Sequence, residues 1–314
     1  MDGHRRAGAS GYGAIPVKRQ RSEALGKEIP GWVTGGLVLG TLAAILWLER
    51  RRPLRRARED KLRRDARNLA MGAMTAVTVR LAEKPFTAPL AKRVHERSWG
   101  LVPSLDLPPL AEVGLAVVLL DYTLYIWHVL THHVPFLWRF HRAHHADLDL
   151  STTTALRFHF GEMLLSVPFR VAQVAAIGAT PRALSAWQTL TLLAILFHHS
   201  NVRLPLAIER RLCRILVTPR MHGIHHSIVD DETNSNWGTI FSVPDYLHRT
   251  IRLDVPQREI DIGIPAFRDA EELCLGEVLQ MPFQGQRPTW RLGGYGPMPE
   301  PRDSGRGRPT ALAD

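Results

Sequence analysis

The residues best suited to chemistry are histidines in a repeated spacing. "FHRAHHAD", residues 140–147, carries His141, His144 and His145, and "MHGIHHS", residues 221–227, carries His222, His225 and His226. Twelve of the fifteen histidines fall between positions 128 and 226. On a helix, residues three or four apart share a face, so His128 and His132 point the same way and His141 reaches the side of both His144 and His145. Adjacent histidines diverge by about 100 degrees around the axis, so His144 and His145 can lean towards different metals, as can His225 and His226. One isolated histidine is far more often structural than ligating. The same cluster twice, with the 128/132 pair beside it, supplies ligands for two metal ions.

The remaining histidines divide by context. His199, in "FHHSN" at a helix end, is expected as a ninth ligand, and its neighbour His198 as a residue behind the ligands or a structural one. His159 in "RFHFGE" is open between a hydrogen-bonding role and ligation. His133 and His248 are expected to be structural, and His4 and His95 solvated. Ligating imidazoles usually donate their other N–H to an acceptor, and Asp121, Glu162, Asp230, Asp231 and Asn236 are the candidates. Imidazole suits iron, copper, zinc and nickel alike. A structural zinc site takes four ligands, often cysteines, and ferritin-like di-iron sites use glutamates that these clusters lack. An all-histidine pair of irons at a membrane surface fits best, with zinc able to substitute.

These ligands need elements to hold them. Of 314 residues, 45% are hydrophobic. The run "GWVTGGLVLGTLAAILWL", residues 31–48, nears the roughly 20 residues that cross a bilayer and reads as an anchor, not a removed signal peptide. Residues 68–90 form a weaker candidate span, damaged by Arg80 and Pro85. Residues 105–127 form another, and 161–178 with 184–200 a close pair around the turn "GATPR"; Arg170 within it should face protein. The formal charge of +10 could signal nucleic acid, but no such motif is present. Ten Lys/Arg against four Asp/Glu between Glu49 and Arg67 directly follow the first apolar run, which is the positive-inside pattern of a membrane protein. With that loop cytoplasmic, every histidine cluster lands on the cytoplasmic face. Two distant cysteines, Cys213 and Cys274, give no disulfide framework and favour a reducing compartment.

The expected fold is all-α: a multi-pass membrane helical bundle with a cytoplasmic, histidine-rich helical cap holding a dimetal site. A mobile basic arm spans 1–30, an N-terminal membrane region 31–104 with its basic loop at 49–67, a catalytic domain 105–258, and a C-terminal extension 259–314 with a disordered tail.

The stretches "DYTLYIWHVLTHHVPFLWRFHRAHH", "TTALRFHFGE", "FHHSNVRLP", "TPRMHGIHHS" and "NSNWG" resemble the fatty acid hydroxylase and sterol desaturase superfamily of integral membrane proteins. The resemblance runs from about Asp121 to Thr250, and weakly on to "MPF" near residue 282. The family's histidine boxes fall here on His128 with His132, on His141, His144 and His145, and on His222, His225 and His226, and His199 falls where many members carry a histidine. The resemblance implies a non-haem di-iron centre using dioxygen and external electrons to attack an unactivated C–H bond of a lipid such as a sterol, fatty acid or carotenoid, with hydroxylation favoured over desaturation. A separate donor, ferredoxin or a cytochrome with its reductase, is implied, because no cysteine motif or flavin fingerprint is present. The chain departs from the pattern at Val129, at Phe160, and in "PDYLHRT", where Asp245 survives but neighbouring family residues do not. Trp127, Trp138, Phe158 and Trp187 are candidates to line a lipid path. A membrane metal transporter, which places ionisable ligands near the midplane, and a zinc-bearing structural protein, which uses no oxygen, are the competing readings.

Overall fold

The computed structural model describes Glu23, residues 25–302, and Leu312 with Ala313. Of the mobile arm expected over 1–30, residues 1–22 and 24 lie outside the described residues, as do the solvated His4 and, of the tail expected to be disordered over 301–314, residues 303–311 and 314. Leu312 is buried against Cys213, Met221 and Leu253, and the Ala313 N–H donates to the Leu253 carbonyl at 2.8 Å.

Among the described residues the chain is helical, and extended pairing is limited to isolated bridges such as Ser227 with Ile262. Helix α1 covers Gly31–Arg51. Next come α2, Lys61–Thr78, and α3, Lys84–Arg97, joined without a break through a wider π turn, Val79–Glu83. Then follow α4, Pro109–His133, α5, Pro135–His145, α6, Phe160–Ile177, and α7, Pro181–His198. Shorter helices close the histidine end: α8, Leu206–Leu212, α9, Pro219–His225, α10, Val243–His248, and α11, Leu275–Gln280.

Local sequence accounts for these limits. Proline occupies the first turn of α4, α5, α7 and α9, where its missing N–H is not needed. Thr180 and Thr218 accept the N–H of Ala183 and Met221 at the starts of α7 and α9, the usual N-cap arrangement. Helix α6 stops at Gly178, whose φ of 80° suits glycine. A methyl group there would collide with the Trp99 carbonyl and Pro103, so the "GATPR" turn is also a close packing point.

Three helices, α1, α4 and α6, are long and apolar enough to cross a membrane. This is a membrane protein. Helix α1 leaves Trp32, Leu39 and Trp47 largely exposed, as a lipid-facing helix does. The weaker candidate span at 68–90 lies within the continuous α2–α3 helix, which runs from the histidine end to the Gly178 end of the bundle; it is not among the three most apolar helices, and Arg80 and Lys84 are exposed on it. Helix α7, the second member of the expected pair, also falls short by composition, yet it packs against α1 and α4 at the centre of the bundle. The main core joins Ala116, Val117 and Leu120 of α4 to Val174 and Ile177 of α6 and Leu184 and Trp187 of α7. Arg170 faces protein as expected: it donates to Gln173 Oε1 at 2.7 Å and lies 4.6 Å over the Trp187 ring.

The basic run does more than sit in solvent. Arg64 is buried with Asp147 at 3.7 Å and with Ser151, and Arg67 pairs with Glu59 at 2.9 Å and with Asp147 at 3.2 Å. Arg55 donates to Gln257 Oε1 and to the Pro219 carbonyl. These contacts clamp the basic segment and the start of α2 onto the segment following α5 and onto the first turn of α9. The basic segment and the histidine clusters therefore share one end of the bundle.

Candidate metal centre

Helix α4 delivers His128 and His132 at its C-terminal end, and α5 turns back immediately through Val134–Pro135 to deliver His141, His144 and His145. The C-terminal end of α7 brings His199, and α9 brings His222, His225 and, just past its end, His226. The nine histidines converge as two groups. His128, His132, His141, His145 and His225 offer one ring nitrogen each, all within 4.8 Å of one another, and His144, His199, His222 and His226 do the same. Each His-His pair splits between the groups, as the 100-degree divergence predicts. His145 and His226 stack at 4.3 Å where the groups meet.

Four of the nine are oriented by a hydrogen bond from Nδ1. His128 donates to the Trp237 carbonyl at 2.8 Å, His141 to Glu162 Oε1 at 2.9 Å, His199 to the Ile195 carbonyl at 2.9 Å, and His225 to the Ser235 carbonyl at 2.8 Å. Such bonds fix the tautomer and turn the other nitrogen's lone pair inward.

The inward nitrogens fit a metal ion and fit little else. In the four-membered group, Nε2 of His199 lies 3.1 Å from that of His144 and 3.0 Å from that of His222, and His222 lies 3.1 Å from His226. A ring nitrogen has one in-plane site, either a proton or a lone pair, so this chain of contacts cannot be satisfied by hydrogen bonds alone. Metal–nitrogen bonds of about 2.0–2.1 Å put tetrahedral ligands roughly 3.3 Å apart, close to the spacing seen. In the other group, both nitrogens of His132 and His145 and Nε2 of His141 and His225 are buried with no hydrogen-bond partner. Buried polar atoms are rarely left so. Burial, and after it the neighbouring imidazoles, hold the pKa values of His144, His145, His222 and His226 well below 6.5. Burial likewise brings His225 down to about 3. Neutral imidazole is the ligating form.

The residues expected behind the ligands fare unevenly. Glu162 touches an imidazole directly. Asp121 does not: its two oxygens accept the Ile240 and Phe241 N–H groups at 3.1 Å. Asn236, at φ 54°, binds the Met221 and Arg252 carbonyls at 2.9 and 2.8 Å. Both act one step away, on the loop that supplies the Ser235 and Trp237 carbonyls. Asp230 and Asp231 bond to no imidazole, since Asp230 turns to Asn234 at 2.6 Å. His159 lies outside both groups: its Nδ1 accepts the Gly161 N–H at the start of α6, and its Nε2 donates to the Leu279 carbonyl at 3.1 Å. His198 is buried against His222, centroids 4.0 Å apart, without joining either group. His133 bonds to the Val129 carbonyl of its own helix, and His248 meets Tyr122 at 2.9 Å.

Of the four aromatics, Phe158 stacks on His144 at 4.4 Å and Trp138 lies 4.7 Å from His132. Trp127 packs instead on Phe169, and Trp187 sits in the core under Arg170. Two supporting carboxylates were not among the expected site residues. Asp245 accepts from Trp237, Gly238 and Thr250. Asp147 accepts from Asn68, Thr154 and Arg67. Burial raises the Asp147 pKa, but Arg64, Arg157 and Arg67 outweigh it and hold it at about 2. The adjacency of Asp147 to "HRAHH" was the available signal.

Comparison with known proteins agrees with this geometry. The fatty acid hydroxylase family pattern matches residues 113–250. The chain is 30% identical over 237 residues to ornithine lipid hydroxylase OlsE of Rhizobium tropici, covering 72% of this chain and 69% of that protein. It is 25% identical over 196 residues to cholesterol 25-hydroxylase of Rattus norvegicus, covering 60% of this chain and 64% of the relative. The corresponding mouse enzyme is 27% identical over 174 residues, covering 53% and 56%. No solved structure matches. The histidine boxes, the helical bundle that presents them and these relatives together establish that the chain belongs to the fatty acid hydroxylase family, within the fatty acid hydroxylase and sterol desaturase superfamily.

Proposed function

We propose that this protein is a membrane-bound, dioxygen-dependent hydroxylase that inserts oxygen into a C–H bond of a lipid, using two irons held by the nine histidines. The observation that carries the proposal is the convergence of those histidines into two adjacent groups with orphaned inward nitrogens, in a chain related to lipid hydroxylases. His128, His132, His141, His145 and His225 would hold one ion, and His144, His199, His222 and His226 the other. Bound iron supplies the redox chemistry by which dioxygen and two external electrons oxidise an unactivated alkyl carbon.

The chain's own residues do the rest. Glu162 and the Trp237, Ser235 and Ile195 carbonyls orient the imidazoles, and burial of the groups limits water around them. Phe158 and Trp138 form apolar walls beside His144 and His132 for an alkyl chain. The site caps the apolar helices, so a lipid can reach it from the bilayer; a transporter would place its ligands near the midplane. The basic segment at this end supports a cytoplasmic location. The balance is RH + O2 + 2 e− + 2 H+ → ROH + H2O. Under labelled dioxygen, one labelled oxygen atom is expected in the lipid product, found by mass spectrometry of lipids from cells with and without the protein. His225→Ala should abolish it. An alkene product without label would replace hydroxylation by desaturation, and full activity in the variant would remove the histidine site from the chemistry.

A further inference from the structure

Between the end of α1 and the start of α2 an open cleft of about 570 Å³ faces the aqueous side of the histidine end. Its rim carries Arg50, Arg56, Arg58, Lys61 and Arg203, all exposed. Arg58 pairs with Asp261, and Lys61 with Asp65 at 3.0 Å. Among the described residues no carboxylate lies within ion-pair distance of Arg50, Arg56 or Arg203. The three acids of the cleft are turned to the protein. Glu49 accepts the Thr152 and Asn201 N–H groups at 2.8 Å, Glu59 holds Arg67, and Asp149 accepts the Arg58 and Glu59 N–H groups at 2.9 Å. The field at the mouth is therefore positive.

The floor of this cleft is the back wall of the metal centre. Asn201, which lines it, is two residues from His199 and is tied to Arg55 through its side chain at 2.8 and 2.9 Å. Arg55 also lines the cleft, and its guanidinium lies on the backbone of α9 at Gly223, where any side chain would collide with it. Gly223 sits between His222 and His225. One layer of protein thus separates the cleft from the four-histidine group.

On the hydroxylase reading above, each turnover draws two electrons from outside, and the two cysteines of this chain are too far apart in sequence to form a cluster motif. We infer that this cleft docks the electron donor, an acidic one-electron carrier protein that delivers both electrons in two encounters through the wall formed by His199–Asn201 and by Arg55 on Gly223. Complementary charge speeds such encounters and makes them sensitive to salt.

The test uses Arg56→Glu/Arg203→Glu in the full chain, held in phosphatidylcholine nanodiscs, with an acidic [2Fe–2S] ferredoxin and its NADPH-dependent reductase as donor. The ferredoxin-driven kcat/KM and direct ferredoxin binding should each fall on the order of tenfold. The parent rate should drop with added salt, and the variant's should not. The same variant, reduced chemically without oxygen and then mixed with O2, should give the parent yield in a single turnover. Donor-driven rate and binding equal to the parent would overturn the inference. Loss of the single-turnover product would overturn it too, by placing the arginines in the oxidising site. So would unchanged ferredoxin binding with lost binding to phosphatidylglycerol vesicles, which would give the cleft to a lipid headgroup. If the parent makes no hydroxylated lipid by either route, the hydroxylase reading falls, and the binding result still decides the cleft.

Discussion

Among the described residues, Glu162 is the one carboxylate in contact with an imidazole of the two groups, 2.9 Å from His141 Nδ1. Orienting partners of this kind are worth about 10- to 100-fold in metal affinity. Glu162→Ala should lose metal to a chelator at correspondingly lower concentration, read by elemental analysis, while Asp231→Ala should match the parent. The imidazoles also set a pH dependence. The folded pKa values of His144, His145, His222, His225 and His226 lie below the ordinary 6.5, that of His225 at about 3. Below pH 6.5 the unfolded chain then binds more protons than the folded one, so stability falls as pH falls. The metal-free protein should melt at lower temperature at about pH 5 than at about pH 7.5, and a melting temperature that rose on acidification would refute this assignment. Protons compete with metal for the same nitrogens, so metal release on acidification should follow the same direction.

At the scale of elements, the segment 235–241 works as one part, because two carboxylates pin it. Asp245 takes the Trp237 and Gly238 N–H groups at 2.8 Å and the Thr250 hydroxyl at 2.7 Å, and Asp121 takes the Ile240 and Phe241 N–H groups. The pinned segment then presents the carbonyls that orient His128 and His225. Burial raises the Asp245 pKa to about 6, so the hydrogen bonds only partly compensate its desolvation. Asp245→Asn turns one acceptor into a donor facing donors, at about 1–3 kcal/mol. Thermal unfolding should show the lower stability, and chelator competition a weaker hold on metal; a variant with parental values on both would show that the segment needs no such anchor. The spacing of "HRAHH" and "HGIHH" made the candidate ligands legible, because helical geometry is local. The loop carbonyls were not legible, since a backbone acceptor leaves no mark in residue type, and neither was the choice of Asp245 over Asp230.

At the scale of the molecule, the ends of α1, α4 and α7 and the starts of α2 and α6 all meet at the histidine end, and Leu105 lies before α4 at the other. With Cys213 and Cys274 replaced by serine, Arg211→Cys and Glu271→Cys should be labelled by an impermeant thiol reagent only from the cytoplasmic side, and Leu105→Cys only from the opposite side. Labelling of Arg211→Cys and Glu271→Cys from opposite sides would contradict a single histidine-bearing face.

The sequence by itself marked out the candidate site: histidine type and helical spacing name the candidate ligands, and the apolar runs at 31–48 and 105–127 name a membrane setting, because both signals are carried within one element. It left 68–90 a weak candidate span, because hydropathy cannot tell a lipid-facing side from one that reaches the 147–158 segment: Asn68 bonds to Asp147 and Thr153, and Thr75 to the Phe158 carbonyl. Tertiary structure alone decided that the nine histidines divide five to four, that Glu162 supports them while Asp230 and His159 do not, and that Arg55, Arg64 and Arg67 of the basic run are turned inward. Those are outcomes of which helix ends meet, and that is set by packing between residues far apart in the chain.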